Sequence, residues 1–394
     1  MPSCSTRTIR IPDQRKLALC KQTPERGPHI LFFSGGTALR EASRELIRYT
    51  HNSIHLITPF DSGGSSAVLR EAFGMPAVGD IRNRLMALAD QSVKGNPEIF
   101  ELFTYRLSKT AQQDELQKEL KDMAQANNPL VRDIPAPMRR VICNHFKNFI
   151  KLMPPDFNLK GASIGNLVLT AGYLTNRRQL DPVIDIFSRL AHVHGRVRAT
   201  INKNLHLAVH LQNGNIVVGQ HNITAKEVAP LASAITDIWL TDSLDSDKPV
   251  QTPISPKTRN CIAEASLICY PIGSFYSSVI ANLIPQGTGR TIAENTCPKL
   301  FVPNTTADPE TIGMSVADQV GTLQKHLVRS GAPNEIAGLE LVLIDSRNAD
   351  YPNGIDLPGL KGRGVEIIDT KLVTPTSSPF IDAHRLNEVL LSLA

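Results

Sequence analysis

Residues 30 to 33 are a short apolar run, and Ser34-Gly35-Gly36-Thr37 follows it directly. The run is too short for a helix and suits a strand buried on both faces. Ala38 to Tyr49 then reads as a helix, with Leu39, Ala42, Leu46 and Ile47 on one side and Thr37 as its N-cap. A second strand follows at Ser53 to Thr58. Strand, helix and strand in this order predict an α/β fold with a mostly parallel sheet. The glycine turn also suits an anion, because the backbone can approach closely and the first helical turn has free N–H groups. It is neither a Walker A loop nor a G-x-G-x-x-G fingerprint, so it assigns no ligand. A tight strand-to-helix turn without a ligand is the alternative reading.

The loop after the second strand repeats the design. Asp61-Ser62-Gly63-Gly64-Ser65-Ser66 leads into a helix over Ala67 to Phe73. Two such turns at the ends of neighbouring parallel strands face one crevice, the ligand site of open α/β sheets. Asp61 is a candidate metal ligand, ribose ligand or base, and an Asx-turn closing on Gly63 is its structural alternative. Gly79 to Asp90 reads as a helix capped by Asp80, with Arg82 and Asn83 in its first turn. A cation opposes the helix dipole there, which points to an anionic partner such as phosphate, or to a salt bridge with Asp80 or Glu71. Ser163 and Asn166 enter an apolar helix as ligand contacts or caps. From Cys261 the α/β rhythm returns, and Gly273-Ser274 forms a third turn opening a helix. Asn304 lies in the polar loop after the strand over Lys299 to Val302.

Two segments interrupt this rhythm. Residues from about 96 to 160 read as a helical insertion, including the charged amphipathic stretch Ala111 to Asn127. Residues from about 195 to 222 read as a small antiparallel β insertion around Asn213-Gly214. His192, His194, His206, His210 and His221 fall in or beside it, so a zinc site is conceivable, although no cysteine or acid joins them at matching spacing. Residues 1 to 28 carry Arg7, Arg10, Arg15, Lys16, Lys21 and Arg26 and read as a loose basic extension before the main domain, 29 to 394. The net charge of +5 is mild, and no dense basic face indicates nucleic acid. Six scattered cysteines without C-x-x-C indicate buried thiols in a reducing compartment, with no disulfide framework. No leader or membrane span is visible, so a soluble cytoplasmic protein is expected.

The turns, in order, resemble the CofD/YvcK family, also called UPF0052. Ser34-Gly35-Gly36-Thr37-Ala38-Leu39 is similar to its Gly-Gly-Gly-Thr-Gly-Leu turn, and Asp61 through Ser66 to its Asp-Asp-Gly-Gly-Ser-Ser loop. Gly79-Asp80-Ile81-Arg82-Asn83, Gly165-Asn166-Leu167, Gly195 through Thr200, Gly273 through Ser278 and Asn304 through Asp318 match further motifs. The subgroup it looks most like is the CofD-like protein of the GAK system. The resemblance implies a Rossmann-like three-layer α/β/α core. It implies a ligand held by Ser34, Gly35, Gly36, Thr37, Gly63, Gly64, Ser65, Asp80, Arg82, Asn83, Asn166, Gly273, Ser274 and Asn304. Asp61 would be both the catalytic residue and a magnesium ligand. CofD transfers a phospholactyl group from a guanylyl donor to a deazaflavin hydroxyl, and YvcK-type members bind nucleotide sugars. The implied function is therefore transfer of a phosphate-ester group to a hydroxyl, with Mg2+ and a GDP- or GTP-type nucleotide or a UDP-sugar. The alternative is a non-catalytic nucleotide-sugar sensor. Homodimerisation is a family-level expectation. Ser62 replaces the second acid of the pair, which weakens a metal site, and Ser34 and Ala38 replace two turn glycines. A nicotinamide dehydrogenase is not expected, because the fingerprint and the ribose-binding acid are missing.

Overall fold

Ten short strands account for the apolar runs: β1 (Ile30–Ser34), β2 (Ile54–Ile57), β3 (Arg196–Ala199), β4 (His206–Leu211), β5 (Ile216–Val218), β6 (Ile235–Thr241), β7 (Leu267–Tyr270), β8 (Lys299–Phe301), β9 (Leu341–Ile344) and β10 (Glu366–Asp369). They come from a computed structural model that describes residues 10–92, 95–224 and 229–394. Seven pair in the order β10-β9-β8-β7-β1-β2-β3, all in parallel. The other three form a small antiparallel sheet, β5-β4-β6. The expected α/β class is therefore observed.

Parallel strands covered on both faces must be apolar on both, and β1 and β7 are buried at every position. Their side chains alternate between two cores. Ile30, Phe32, Leu267 and Cys269 face a layer that includes the closing helix Ala383–Leu393. Leu31, Phe33, Ile268 and Tyr270 face the small sheet and the helix Val316–Arg329. Each fully buried Phe or Leu contributes about 1.5–3 kcal/mol of transfer free energy. The helices α1 (Gln14–Gln22), α2 (Arg40–Leu46), α3 (Gly64–Phe73) and α4 (Gly79–Ala87) lead into a helical block. That block comprises α5 (Pro97–Thr104), α6 (Gln113–Ala124), α7 (Pro129–Arg132), α8 (Ala136–Leu152), α9 (Ile164–Thr175) and α10 (Leu180–Leu190), and it encloses its own core around Phe103, Phe146 and Phe149.

Three expectations are corrected. The loose basic arm is, from Gln14 onward, an ordered helix: Leu17 and Cys20 are buried in the core shared with the closing helix, and Asp13 N donates to Ser392 Oγ (2.9 Å). Cys4 and Arg7 lie outside the described residues. The segment at 195 does not begin the antiparallel insertion, because β3 pairs with β2 at the edge of the main sheet. β4 pairs with β5 across the expected Asn213-Gly214 turn, and its second partner is β6, distant in sequence and without a nearby turn signal. The helix after β1 starts at Arg40, not Ala38, and Leu39 is its N-cap, with no side-chain capping bond. Thr37 contributes its carbonyl to Arg40 N (3.0 Å), so residues 34–39 form a longer loop than a capped turn.

Candidate active site at the sheet switch point

The chain runs from β1 to β2 and β3 on one side, and later builds β7 to β10 on the other. Crossovers diverge between β1 and β7, so the loops following these strands part and leave a crevice. A cavity of about 250 Å³ lies there. Ser34, Gly35, Gly36, Thr37, Asp61, Gly63, Gly64, Ser65, Asp80, Arg82, Asn83, Asn166, Gly273 and Ser274 line it. Asn304 does not. Its amide brackets the third turn, accepting from Gly273 N (2.9 Å) and donating to Gly273 O (2.7 Å), and it lines a separate cavity.

The first turn needs its glycines for space. A Cβ on Gly35 would stand 2.5 Å from Ser278 Oγ, and one on Gly36 would run into the Asp80 carboxylate. Beneath the turn lies Arg84, fully buried. Its guanidinium donates to Gly35 O (3.0 Å), Leu39 O (3.1 Å) and Ser43 Oγ, which ties the turn's carbonyls to the protein. Burial lowers its pKa to about 10, with Asp80 favouring the charge and Arg40 opposing it, so it stays a cation at neutral pH.

The second turn is held from below in the same way. Arg70 donates to Phe60 O (3.0 Å), Asp61 O (3.1 Å) and Leu205 O (2.7 Å). α3 begins at Gly64, with Gly63 as an N-cap that has no side-chain capping bond. The helix therefore starts earlier than Ala67, and Gly64, Ser65 and Ser66 form its first turn beside the cavity. Asp61 Oδ1 accepts from Gly63 N (3.2 Å), the Asx-turn bond, while the residue also lines the cavity. Ser62 turns away onto His221 (Oγ to Nδ1, 2.8 Å).

Arg82 is 7% exposed. Its Nε donates to Asn166 Oδ1 (3.4 Å), and Asn166 Nδ2 reaches Ser65 Oγ (3.4 Å). Asn166 thus links α4 to α3 and does not cap its helix. The Arg82 pKa is lowered to about 10, first by burial and then by Arg106 and Arg40, while Asp80 works the other way. Arg82 and Arg106 line the cavity together with the carboxylates Asp61 and Asp80.

The third turn behaves differently. The N–H groups of Phe275, Tyr276 and Ser277 are held by Asp308 Oδ2 (2.8 Å) and Glu310 Oε2 (2.7 and 2.8 Å). Those amides are committed to protein carboxylates. Burial and Asp308 raise the Glu310 pKa. Gly273 and Ser274 therefore border the cavity without offering a helix N-terminus to it.

Arg106, Gln220 and Thr224, unmarked in the sequence, also line the cavity, as do Ser278, marked only as part of a motif, and His221, marked only as a conceivable zinc ligand. Gln220 and His221 belong to α11 (Gln220–Ile223), against the small sheet. The histidines do not assemble. His206 is buried against Arg70, His210 pairs with Thr236 and His194 stacks on His51. Among the described residues no three His, Cys, Asp or Glu side chains cluster as a metal site.

Comparison with known proteins follows the same geometry. A family model described as 2-phospho-L-lactate transferase CofD matches residues 30–373. This chain belongs to the CofD family. The gluconeogenesis factor of Bacillus subtilis is 27% identical over 379 residues, covering 93% of this chain and 98% of that protein. A Clostridium acetobutylicum relative is 29% identical over 321 residues, 80% of this chain, but the match spans only 57% of that longer protein. A crystal structure of a UPF0052-family protein from Bacillus halodurans superimposes with a TM-score of 0.68 at 23% identity, covering 93% of this chain and 99% of that one. It shares the fold of this CofD-family chain. No helix among the described residues is long and apolar enough to cross a membrane.

Proposed function

We propose that this CofD-family protein binds a nucleotide-type phosphate ester at the switch-point cavity and transfers the phosphate-ester group to a hydroxyl acceptor. The observation that carries this reading is Arg82: a buried cation beside Arg106, facing two glycine-rich turns whose carbonyls are tied back by Arg84 and Arg70. Transfer at phosphorus depends on positioning and charge neutralisation more than on covalent work by the protein. Gly35, Gly36, Gly64 and Ser65 would hold phosphate oxygens, and Arg82 would neutralise them. Asp61 is the candidate to accept the proton of the attacking hydroxyl.

Magnesium fits the residues present. Asp61 and Asp80 both line the cavity, and magnesium is usually held by one or two carboxylates together with substrate phosphates. Asp308 and Glu310 are committed elsewhere. The ion would supply further neutralisation of phosphate charge. A second reading, a nucleotide-sugar sensor without turnover, is favoured by Ser62, whose side chain points away from the cavity where the family motif has an acid.

Native mass spectrometry with GDP, GTP, UDP-sugars and NAD, with and without magnesium, tests both readings. A nucleoside diphosphate that binds more tightly with magnesium supports transfer. A UDP-sugar bound equally well without metal, and unchanged on incubation, supports the sensor. Absence of binding by every phosphate ligand refutes both.

A further inference from the structure

His221 stands on the cavity wall that α11 supplies. Two features fix its ring. Ser62 Oγ lies 2.8 Å from Nδ1 and also accepts the His221 backbone N–H (3.1 Å). Gly219, at φ +96°, backs the ring so closely that a Cβ there would lie 2.8 Å from Cε1 and 3.0 Å from Nδ1. Nε2 makes no hydrogen bond to a described residue. An imidazole held at one nitrogen and left open at the other is oriented for a contact its own chain does not make.

Resting on the reading above, we propose that His221 Nε2 hydrogen-bonds the bound phosphorylated ligand and that Ser62 is its positioning residue. A serine hydroxyl suits this task because it has one donor and two acceptor sites. It accepts the backbone N–H and still pairs with Nδ1 in either tautomer. Position 62 therefore braces the α11 wall from within the second glycine turn, and the small sheet becomes part of the ligand site.

Acylation of the wild-type protein by diethyl pyrocarbonate, read by peptide mass spectrometry, tests the contact without altering the fold. With GDP or a UDP-sugar bound, His221 acylation should slow strongly while that of His210 stays unchanged. His221→Ala should weaken binding of the same nucleotide about tenfold or more, the value of a hydrogen bond to a charged group. His221→Gln, whose amide nitrogen reaches near the Nε2 position, should restore much of it, and Ser62→Ala should fall between. Binding that neither protects His221 nor changes in His221→Ala overturns this inference and leaves the function standing. Absence of any nucleotide binding overturns both.

Discussion

Arg82 gives the sharpest test, because its charge works against the fold it sits in. Its pKa falls from 12.5 to about 10, chiefly through burial, with Arg106 and Arg40 adding repulsion. A displacement of that size corresponds to roughly 3 kcal/mol against the charged form. Arg82→Met keeps much of the volume and removes the charge. It also removes the 3.4 Å bond to Asn166 Oδ1, at a cost of about 1 kcal/mol. The net expectation is a more stable protein by roughly 1–2 kcal/mol, which for a chain of this length raises the thermal midpoint by roughly 1–3 °C. Nucleotide affinity should move the other way. Losing a charge-assisted contact to phosphate costs about 1.5–3 kcal/mol, or ~10–100-fold in Kd. Urea denaturation and isothermal titration with GDP read the two quantities on the same sample. A variant that is less stable by 2 kcal/mol or more (on the order of a structural ion-pair loss) and binds GDP normally would refute the reasoning, since Arg82 would then be a structural cation.

Other perturbations separate the remaining roles. Asp61→Asn removes charge without volume, so the thermal midpoint should hold while magnesium-dependent nucleotide binding or turnover is lost; unchanged affinity and activity would remove Asp61 from the site. Gly36→Ala drives a methyl group into the Asp80 carboxylate, with Asp80 Cγ at 2.7 Å and Asn83 Nδ2 at 3.2 Å. It should cost about 1–3 kcal/mol of stability by overpacking and abolish binding, and normal GDP titration would show that the turn carries no ligand. Acid should destabilise the protein well above the carboxylate range. His206 and His326 have pKa values lowered to about 4, and that of His55 lies well below 6.5, all chiefly through burial. The unfolded chain therefore takes up protons first, so this stability is complete above pH 6.5 and declines towards pH 4, by roughly 1.4 kcal/mol per pH unit for each histidine. A denaturation midpoint that is flat between pH 6.5 and 4.5 would contradict it.

Residues in contiguous motifs were legible because their local geometry sets where they lie. The turns at 34–37 and 61–65 name their own backbone needs, and the strand-turn-helix order brings them to one crevice. Asn304 braces the third turn and lines a separate cavity, a placement the sequence hides because a polar side chain after a strand does not reveal whether it faces the crevice or the next turn. Arg84 escaped notice because it sits one helical step behind Arg82, and only the fold shows that it lies under Gly35. Gln220 and Thr224 carried no local signal, and His221 carried only that of a conceivable zinc ligand. They sit on α11 or at its end, which follows β5 and packs on β4 and β5, and only the fold brings that short helix to the loops after β1 and β2.

The chemistry of the crevice has a direction that follows from how its helix termini are used. On the β7 side, Asp308 and Glu310 occupy the amides of Phe275, Tyr276 and Ser277, so those donors are already taken. On the β1 and β2 side, the first turn of α3 has no side-chain cap, and Arg82 and Arg106 stand beside it. A phosphate ester bound as proposed should therefore lie with its charged end over Gly63, Gly64 and Ser65. Its less charged end then rests near Ile272 and Gly273. Glu310→Gln, which replaces one of the two oxygens that accept from Tyr276 and Ser277, should consequently leave phosphate affinity largely intact and disturb the Gly273 turn, whereas neutralising Arg82 should do the reverse.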